Sequence, residues 1–467
     1  MYGTIQSVRM DTTIFKAYDI RGVYPAQLDD DAAYRIGAGF ATSGLLPPGS
    51  TILVGRDMRE SSDALFRSFV AGAMGHGIEV VDIGLCTTPM LYFAVNTLRA
   101  AGGAMITASH NPGRYNGFKL VRESAIPIGG NSGLEEIKRH ALRHDAAAPA
   151  PGIAPPCDDS IAPLYVRYFS DRFRIQLDRP VIIDTGNGIA GPIVRRVLQD
   201  QRIVHDELFF EPDGRFPNHE ANPLKEETLA TLRTTVAETP DAIGVAFDGD
   251  GDRVCFVDEE GTVVRGDLLT ALLSKRLLRD EAPATILYDL RSSRIVPEII
   301  RHAGGEPVKT RVGHAFVKRI LREQNALFGG ELSYHFYFRD FFFCESGILA
   351  MLHVCRLLAE TGERLVDLVA PFRKYFHSGE INFEVPNPQD TLRILENRFA
   401  DGRVEKLDGL SVTYDDWWFN VRSSNTEPLL RLNIEAETLS LLRSSIRVLS
   451  QIIREGPRGD SNGTRTL

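Results

Sequence analysis

The chain is short of several features that would point to a secreted, membrane-bound or nucleic-acid-coating protein. Its five cysteines, Cys86, Cys157, Cys255, Cys344 and Cys355, form no C-x-x-C pair. That pattern excludes a zinc knuckle and a disulfide framework, and an odd count fits reduced thiols. No apolar run is long enough to span a bilayer, and neither end of the sequence carries a secretory h-region, so the cytoplasm is the expected location, with no membrane partner. An excess of positive charge is also missing. The formal net charge is -9, which argues against a nucleic-acid partner, because phosphate-backbone binding relies on clustered Lys and Arg. Small phosphorylated ligands stay open wherever the local cations converge.

What is present is an ordinary globular composition, 43% hydrophobic and 25% charged, spread over a length that one core does not support. At about 150 residues per domain, 467 residues suggest three or four domains. Strand-like segments ("STILVGRD", "GIEVVDIG", "GGAMITAS") alternate with helical ones ("SSDALFRSFVAGAMGHG"), the pattern of an α/β fold. The Pro- and Ala-rich stretch "HDAAAPAPGIAPPCDD" reads as a linker. Beyond it come "RPVIIDTGNGIAGPIVRRVL" and "AIGVAF", then a third block from "ATILYDLRSSRIVPEII" through "ALFGGELSYH". From "GEINFEV" onward short strands precede a final helix, the pattern of a smaller α+β unit. The expected domains are 1–157, 158–260, 261–374 and 375–467. In three of these blocks an apolar strand runs into a loop of small and polar residues, and in open α/β sheets ligands gather beyond such carboxyl ends.

The sharpest motif is "DGDGDR", in which Asp248, Asp250 and Asp252 are separated by single glycines. Three carboxylates this close repel, and an oxygen-seeking divalent cation is the usual reason to tolerate them. A solvated acidic turn is the plain alternative, but the segment directly follows a buried-looking strand. An EF-hand fails at its sixth position, which requires glycine and here holds Arg253, and strands rather than helices flank it. Mg²⁺ beside a phosphate suits this set better than a caged Ca²⁺.

"TASHNP" places Ser109 and His110 after another apolar strand. It lacks the glycines of a hydrolase elbow, and in an extended segment adjacent side chains point apart, so His110 is not expected to serve as the base of Ser109. Alone it reads as a turn closing a strand. Beside a metal loop, Ser109 becomes a candidate phosphoserine and Lys119 a candidate acid or base. In "GGELSYH", Glu331 and Ser333 sit two apart, so an extended backbone projects both the same way, toward paired sugar hydroxyls. "RSSNTEP" (422–428) suits a phosphate cradle, and equally a helix N-cap or turn before Pro428.

Taken together, "FKAYDIRG" (15–22), "TASHNP" (107–112), "DGDGDR" (248–253), "GELSYH" (330–335) and "RSSNTEP" (422–428) make the chain resemble the α-D-phosphohexomutase family, in its phosphomannomutase/phosphoglucomutase branch. The resemblance runs nearly end to end. It implies three α/β domains with mixed sheets and a smaller C-terminal α+β domain, heart-shaped around a central cleft. It further implies an isomerase that interconverts hexose 6-phosphate and hexose 1-phosphate through a phosphoserine and a 1,6-bisphosphosugar, which also acts as activator.

In that scheme Ser109, Lys119 and Arg21 are catalytic, and Ser109 with Asp248, Asp250 and Asp252 holds Mg²⁺. Tyr18, Arg253, Arg291, His314, Glu331, Ser333 and His335 contact substrate, and Arg422, Ser424, Asn425 and Thr426 grip the non-reacting phosphate. The partner is a small phosphosugar, and either a monomer or a dimer is compatible. Two departures bear on substrate preference. Tyr334 stands where glycine commonly follows the serine, and "CESG" (344–347) replaces a paired-aspartate turn. "RSSNTEP" favours the glucose/mannose branch over phosphoglucosamine mutase. A Mg²⁺-dependent sugar phosphatase would not need the second phosphate grip, and Arg253 speaks against a calcium-binding module.

Overall fold

A computed structural model describes residues 10–144, 154–423 and 429–456. The chain forms two compact units, residues up to 264 together with 333–365, and residues 265–332 together with 366–467.

The first unit contains two five-stranded mixed sheets. In the first, Thr51–Arg56 runs parallel to Glu79–Leu85 and to Gly102–Ile106, which pairs antiparallel with Tyr115–Arg122, and that strand in turn with Ile20–Val23. The apolar runs lie where burial on both faces requires them: Gly102–Ile106 is buried throughout, whereas in the edge strand Glu79–Leu85 only Val80 and Ile83 are buried. Helices Asp30–Thr42 and Ser62–Met74 approach so closely that a Cβ on Gly37 or Gly72 would meet a backbone carbonyl oxygen of the other helix at 2.0 Å. Phe69 stacks on Phe118 at 5.1 Å and binds this pair to the sheet.

The second sheet repeats the plan. Val181–Asp184 lies parallel to His205–Leu208 and Ile243–Phe247, and Ile243–Phe247 folds back antiparallel onto Val254–Val257, beside Val263–Val264. The reversal between residues 247 and 254 is "DGDGDR". Strands therefore do flank the acidic motif, as its rejection as an EF-hand requires. The unit also includes the antiparallel pair Phe336–Phe338 and Cys344–Glu345, and helix Gly347–Thr361, capped by the Ser346 hydroxyl.

In the second unit Thr285–Asp289 runs parallel to Glu306–Thr310 and Phe328–Gly330, with helices Gly266–Glu281, Ile295–His302 and His314–Glu323. The C-terminal part is an antiparallel sheet in the order Phe376–Glu384, Leu429–Ala436, Trp417–Ser423, Leu410–Thr413, Arg403–Glu405. Alternation along these strands puts Phe419, Val421, Leu432 and Ile434 into a core with Leu395, Leu442 and Leu449 of helices Pro388–Arg398 and Leu439–Glu455. No helix among the described residues is long and apolar enough to cross a membrane.

Candidate active site

Two strand ends of the first unit meet at the candidate site. Ser109 follows Gly102–Ile106 and is buried, with its backbone at φ +50°. Its Oγ donates to Asp248 Oδ2 at 2.8 Å and lies 3.1 Å from His110 Nδ1. The expectation that Ser109 and His110 point apart is thus corrected. It assumed an extended backbone, and the left-handed turn at Ser109 brings the two side chains together. Burial first, then the Arg253 and Arg21 cations, hold His110 well below the usual histidine range, so its ring is neutral.

The acidic turn is almost completely enclosed, with Asp248 and Asp250 at 0% exposure and Asp252 at 3%. Each offers an oxygen, and these oxygens lie within 4.8 Å of one another. Burial, then the negative charges of Asp252 and Asp250, raise Asp248 well above the carboxylate range. Asp252 goes the other way. Burial opposes its charge, but Lys119 and then His335 hold it well below. Lys119 Nζ donates to Asp250 Oδ2 at 2.5 Å and to Asp252 Oδ2 at 2.6 Å, and despite its burial those two carboxylates raise its pKa.

The residues fit a divalent cation on two observations: the ammonium shows that this edge of the turn accepts positive charge, and Asp250 Oδ1 is buried with no hydrogen-bond partner. An all-oxygen set of this kind suits Mg²⁺. Thr88 steadies the turn from the first sheet's side. Its hydroxyl donates to Asp250 Oδ2 at 2.6 Å and its N–H to the Asp250 carbonyl at 3.0 Å.

Further groups of this unit converge here. The Arg253 N–H donates to Asp248 Oδ1 at 3.1 Å, and its Nε is 3.3 Å from His335 Nε2, which is 3.2 Å from Asp252 Oδ1. Arg253 Nη1 is buried and unpartnered, a donor placed to meet an anion. Ser333 Oγ is 3.4 Å from His335 Nδ1. Arg21 donates to Asn111 of the serine loop and to Asp19 at 2.6 Å, and Tyr18 lies partly buried just before its strand.

In the second unit Arg291 pairs with Asp289 at 2.7 Å, and Arg422 and Arg431 each reach Glu380 at 3.0 Å. Burial opposes the charge of Glu380, but Arg291, Arg431 and Arg422 hold its pKa low. Three guanidinium groups against the two carboxylates of Glu380 and Asp289 leave one net positive charge for an anion. Glu331 is buried and accepts from the Gly313 N–H at 3.1 Å, and His314 is the first residue of the following helix, partly buried. Residues 332–334 form a turn and bend with Tyr334 at φ +68°, so the strand alternation assumed for Glu331 and Ser333 does not apply. Ser424, Asn425 and Thr426 lie outside the described residues.

Sequence reasoning missed Thr88 and Arg59. "CTTP" carried a helix-start signal through Thr87 and the Pro at the first turn, but nothing local tied it to a loop 162 positions away.

Models of phosphoglucomutase/phosphomannomutase domains match in chain order: α/β/α domain I over residues 12–148, II over 163–261, III over 265–375 and the C-terminal domain over 380–444. The chain is 38% identical over 452 residues to the phosphomannomutase of Methanocaldococcus jannaschii, covering 95% of this chain and 98% of that one. It is 40% identical to the phosphohexose mutases protein of Xanthomonas campestris pv. campestris, covering 95% and 100%. A phosphoglucomutase/phosphomannomutase family protein of Burkholderia thailandensis superposes with a TM-score of 0.84 at 31% identity, covering 96% and 98%. On the motifs, the sheets and these matches together, the chain belongs to the α-D-phosphohexomutase family, with the four domains of its phosphoglucomutase/phosphomannomutase members.

Proposed function

We infer that this protein is an isomerase of the hexose phosphate mutase type, moving a phosphoryl group between the 1- and 6-oxygens of mannose or glucose through a phosphorylated Ser109. The observation that carries this reading is the 2.8 Å approach of Ser109 Oγ to the buried three-aspartate turn, with Lys119 against the same carboxylates.

Asp248, Asp250 and Asp252 are the residues that would hold Mg²⁺, together with the Ser109 phosphate. When bound there, the ion supplies charge neutralisation for the phosphoryl oxygens. The chain's own groups do the rest. Phosphoryl transfer has little covalent work for a protein beyond positioning and electrostatics. The P–Oγ bond of Ser109 breaks as the free sugar hydroxyl forms its bond to phosphorus. Lys119, assigned as acid and base and held as an ammonium by Asp250 and Asp252, gives a proton to the leaving Ser109 Oγ and takes up the one that the sugar hydroxyl loses. The resulting hexose 1,6-bisphosphate turns over and returns its other phosphoryl group to Ser109, so that the bisphosphate is both intermediate and activator.

Arg253, with a buried unpartnered nitrogen, and Arg21 are assigned to charge balance near the transferred group. Glu331, Ser333, His335 and His314 are assigned to the sugar hydroxyls, and Arg291 and Arg422, with Ser424, Asn425 and Thr426, to the phosphate that does not react. The test is direct. Mannose 1-phosphate, glucose 1-phosphate and glucosamine 1-phosphate are assayed side by side with Mg²⁺ and the matching bisphosphate. Turnover of mannose or glucose 1-phosphate supports the reading, and turnover of glucosamine 1-phosphate alone moves the protein to another branch.

A further inference from the structure

We propose that Arg59 is a positioning residue for phosphoryl transfer. Its guanidinium fixes the backbone of the Ser109 loop in the conformation that aims Oγ at the aspartate turn. The inference rests on the reading of Ser109 as the phosphoryl carrier.

A guanidinium carries five N–H donors and no acceptor, and each donor of Arg59 finds a partner. Nε donates to Asp57 Oδ2 at 3.0 Å, one terminal nitrogen to the carbonyls of Pro112 and Tyr115 at 2.8 Å, and the other to those of Ser109 and Asn111 at 2.7 Å. The side chain has no exposure at all. Four carbonyl dipoles from one short loop repel one another when they converge, and a buried cation at their centre reverses the sign of that interaction. The loop is wrapped around Arg59.

The same carbonyl of Ser109 belongs to a residue at φ +50°, a region L-residues rarely adopt. Gly249 of the aspartate turn closes on it from another direction, so near that a Cβ there would stand 2.4 Å from the oxygen. Arg59 is anchored to the sheet rather than to the loop it holds. The Asp57 N–H donates to the Ile106 carbonyl at 3.0 Å, and its carboxylate accepts from the Ser62 hydroxyl at 2.7 Å as well as from Arg59. A turn of the second sheet's domain covers the clamp. The Phe216 ring lies 5.2 Å from the guanidinium carbon, and Gly214 is so close that a Cβ would meet Arg59 Cα at 2.5 Å. Lysine would keep the charge but could not span four carbonyls with three donors on one nitrogen.

The experiment compares wild type with Arg59→Lys, both shown folded by thermal melts. Each is treated with a hexose 1,6-bisphosphate, and phosphate on Ser109 is followed over time by peptide mass spectrometry. In this step the bond from phosphorus to the sugar oxygen breaks, the bond to Oγ forms, and the serine proton ends on the sugar oxygen. We expect Arg59→Lys to acquire phosphate about 100-fold more slowly, with kcat lowered in parallel and KM for hexose 1-phosphate within about threefold. A wild-type rate in folded Arg59→Lys overturns the proposal. Should that variant not fold, Asp57→Asn replaces the carboxylate that anchors Nε and so loosens the guanidinium that holds the four carbonyls. Slower phosphorylation there supports the clamp, and a wild-type rate overturns it. If wild type places no phosphate on Ser109, the phosphoserine reading falls and this proposal with it, whereas equal rates on Ser109 in both proteins remove only the role of Arg59.

Discussion

Gly249 offers the sharpest mechanical test of the idea that the serine loop and the aspartate turn work in register. It is not in the left-handed region, so alanine is allowed there by the backbone and fails only through contact. The added Cβ would stand 2.4 Å from the Ser109 carbonyl oxygen and 3.2 Å from its carbon, where ordinary contact begins at 3.4 Å. The two loops must therefore part by about 1 Å, and a misplacement of that size in a pre-aligned site costs about 100-fold in rate, or about 2.7 kcal/mol of barrier. Overpacking also costs about 1–3 kcal/mol of stability, which lowers Tm. Gly249→Ala is assayed for kcat and KM at saturating Mg²⁺ and bisphosphate, below its measured melting range. The expected result is a kcat about 100-fold lower with KM little changed. A kcat within about threefold of wild type would mean that the contact carries no register.

Two further outcomes follow from the electrostatics. Asp250→Asn removes one of three enclosed carboxylates while keeping its size, so the Mg²⁺ concentration needed for half-maximal activity should rise at least about tenfold. An unchanged Mg²⁺ titration would remove Asp250 from the metal site. His377 titrates for a different reason. Burial first, then Arg265, push it down to about 4 from 6.5, and its Nδ1 accepts from the Gly379 N–H while Nε2 faces the Arg291 carbonyl. The unfolded chain takes up this proton before the folded one does, so the contribution is complete above about pH 6.5 and is lost as pH falls toward 4, by roughly 3 kcal/mol at most. Urea unfolding at pH 7 and pH 5 should show a stability loss in wild type that His377→Gln lacks. Equal losses in both would exclude His377 as its source.

The parts of the fold that were legible in the sequence are those where one residue pattern has one physical solution. "AIGVAF" and "VCFVDE" are apolar runs too short for helices, and they became strands around a turn whose glycines and aspartates announce a cation. What was not legible depended on backbone angles and on distant pairing. The geometry of Ser109 and His110 turned on a single φ, and the "ELSY" segment is a turn rather than a strand for the same kind of reason at Tyr334. Arg59 and Thr88 reach their partners across roughly 50 and 162 positions respectively, and no periodicity within their own segments encodes that. "RSSNTEP" remains legible only as far as Arg422 and Ser423, since the residues that follow lie outside the described ones.

The mechanism depends on the phosphoryl group travelling on Ser109 Oγ. Treating the protein with a hexose 1,6-bisphosphate, then mapping phosphate by peptide mass spectrometry and assaying Ser109→Ala alongside, tests it most directly. A single phosphoryl group on Ser109 and near-complete loss of mutase activity in the alanine variant are expected. Phosphate on another residue, or full activity in Ser109→Ala, would contradict it.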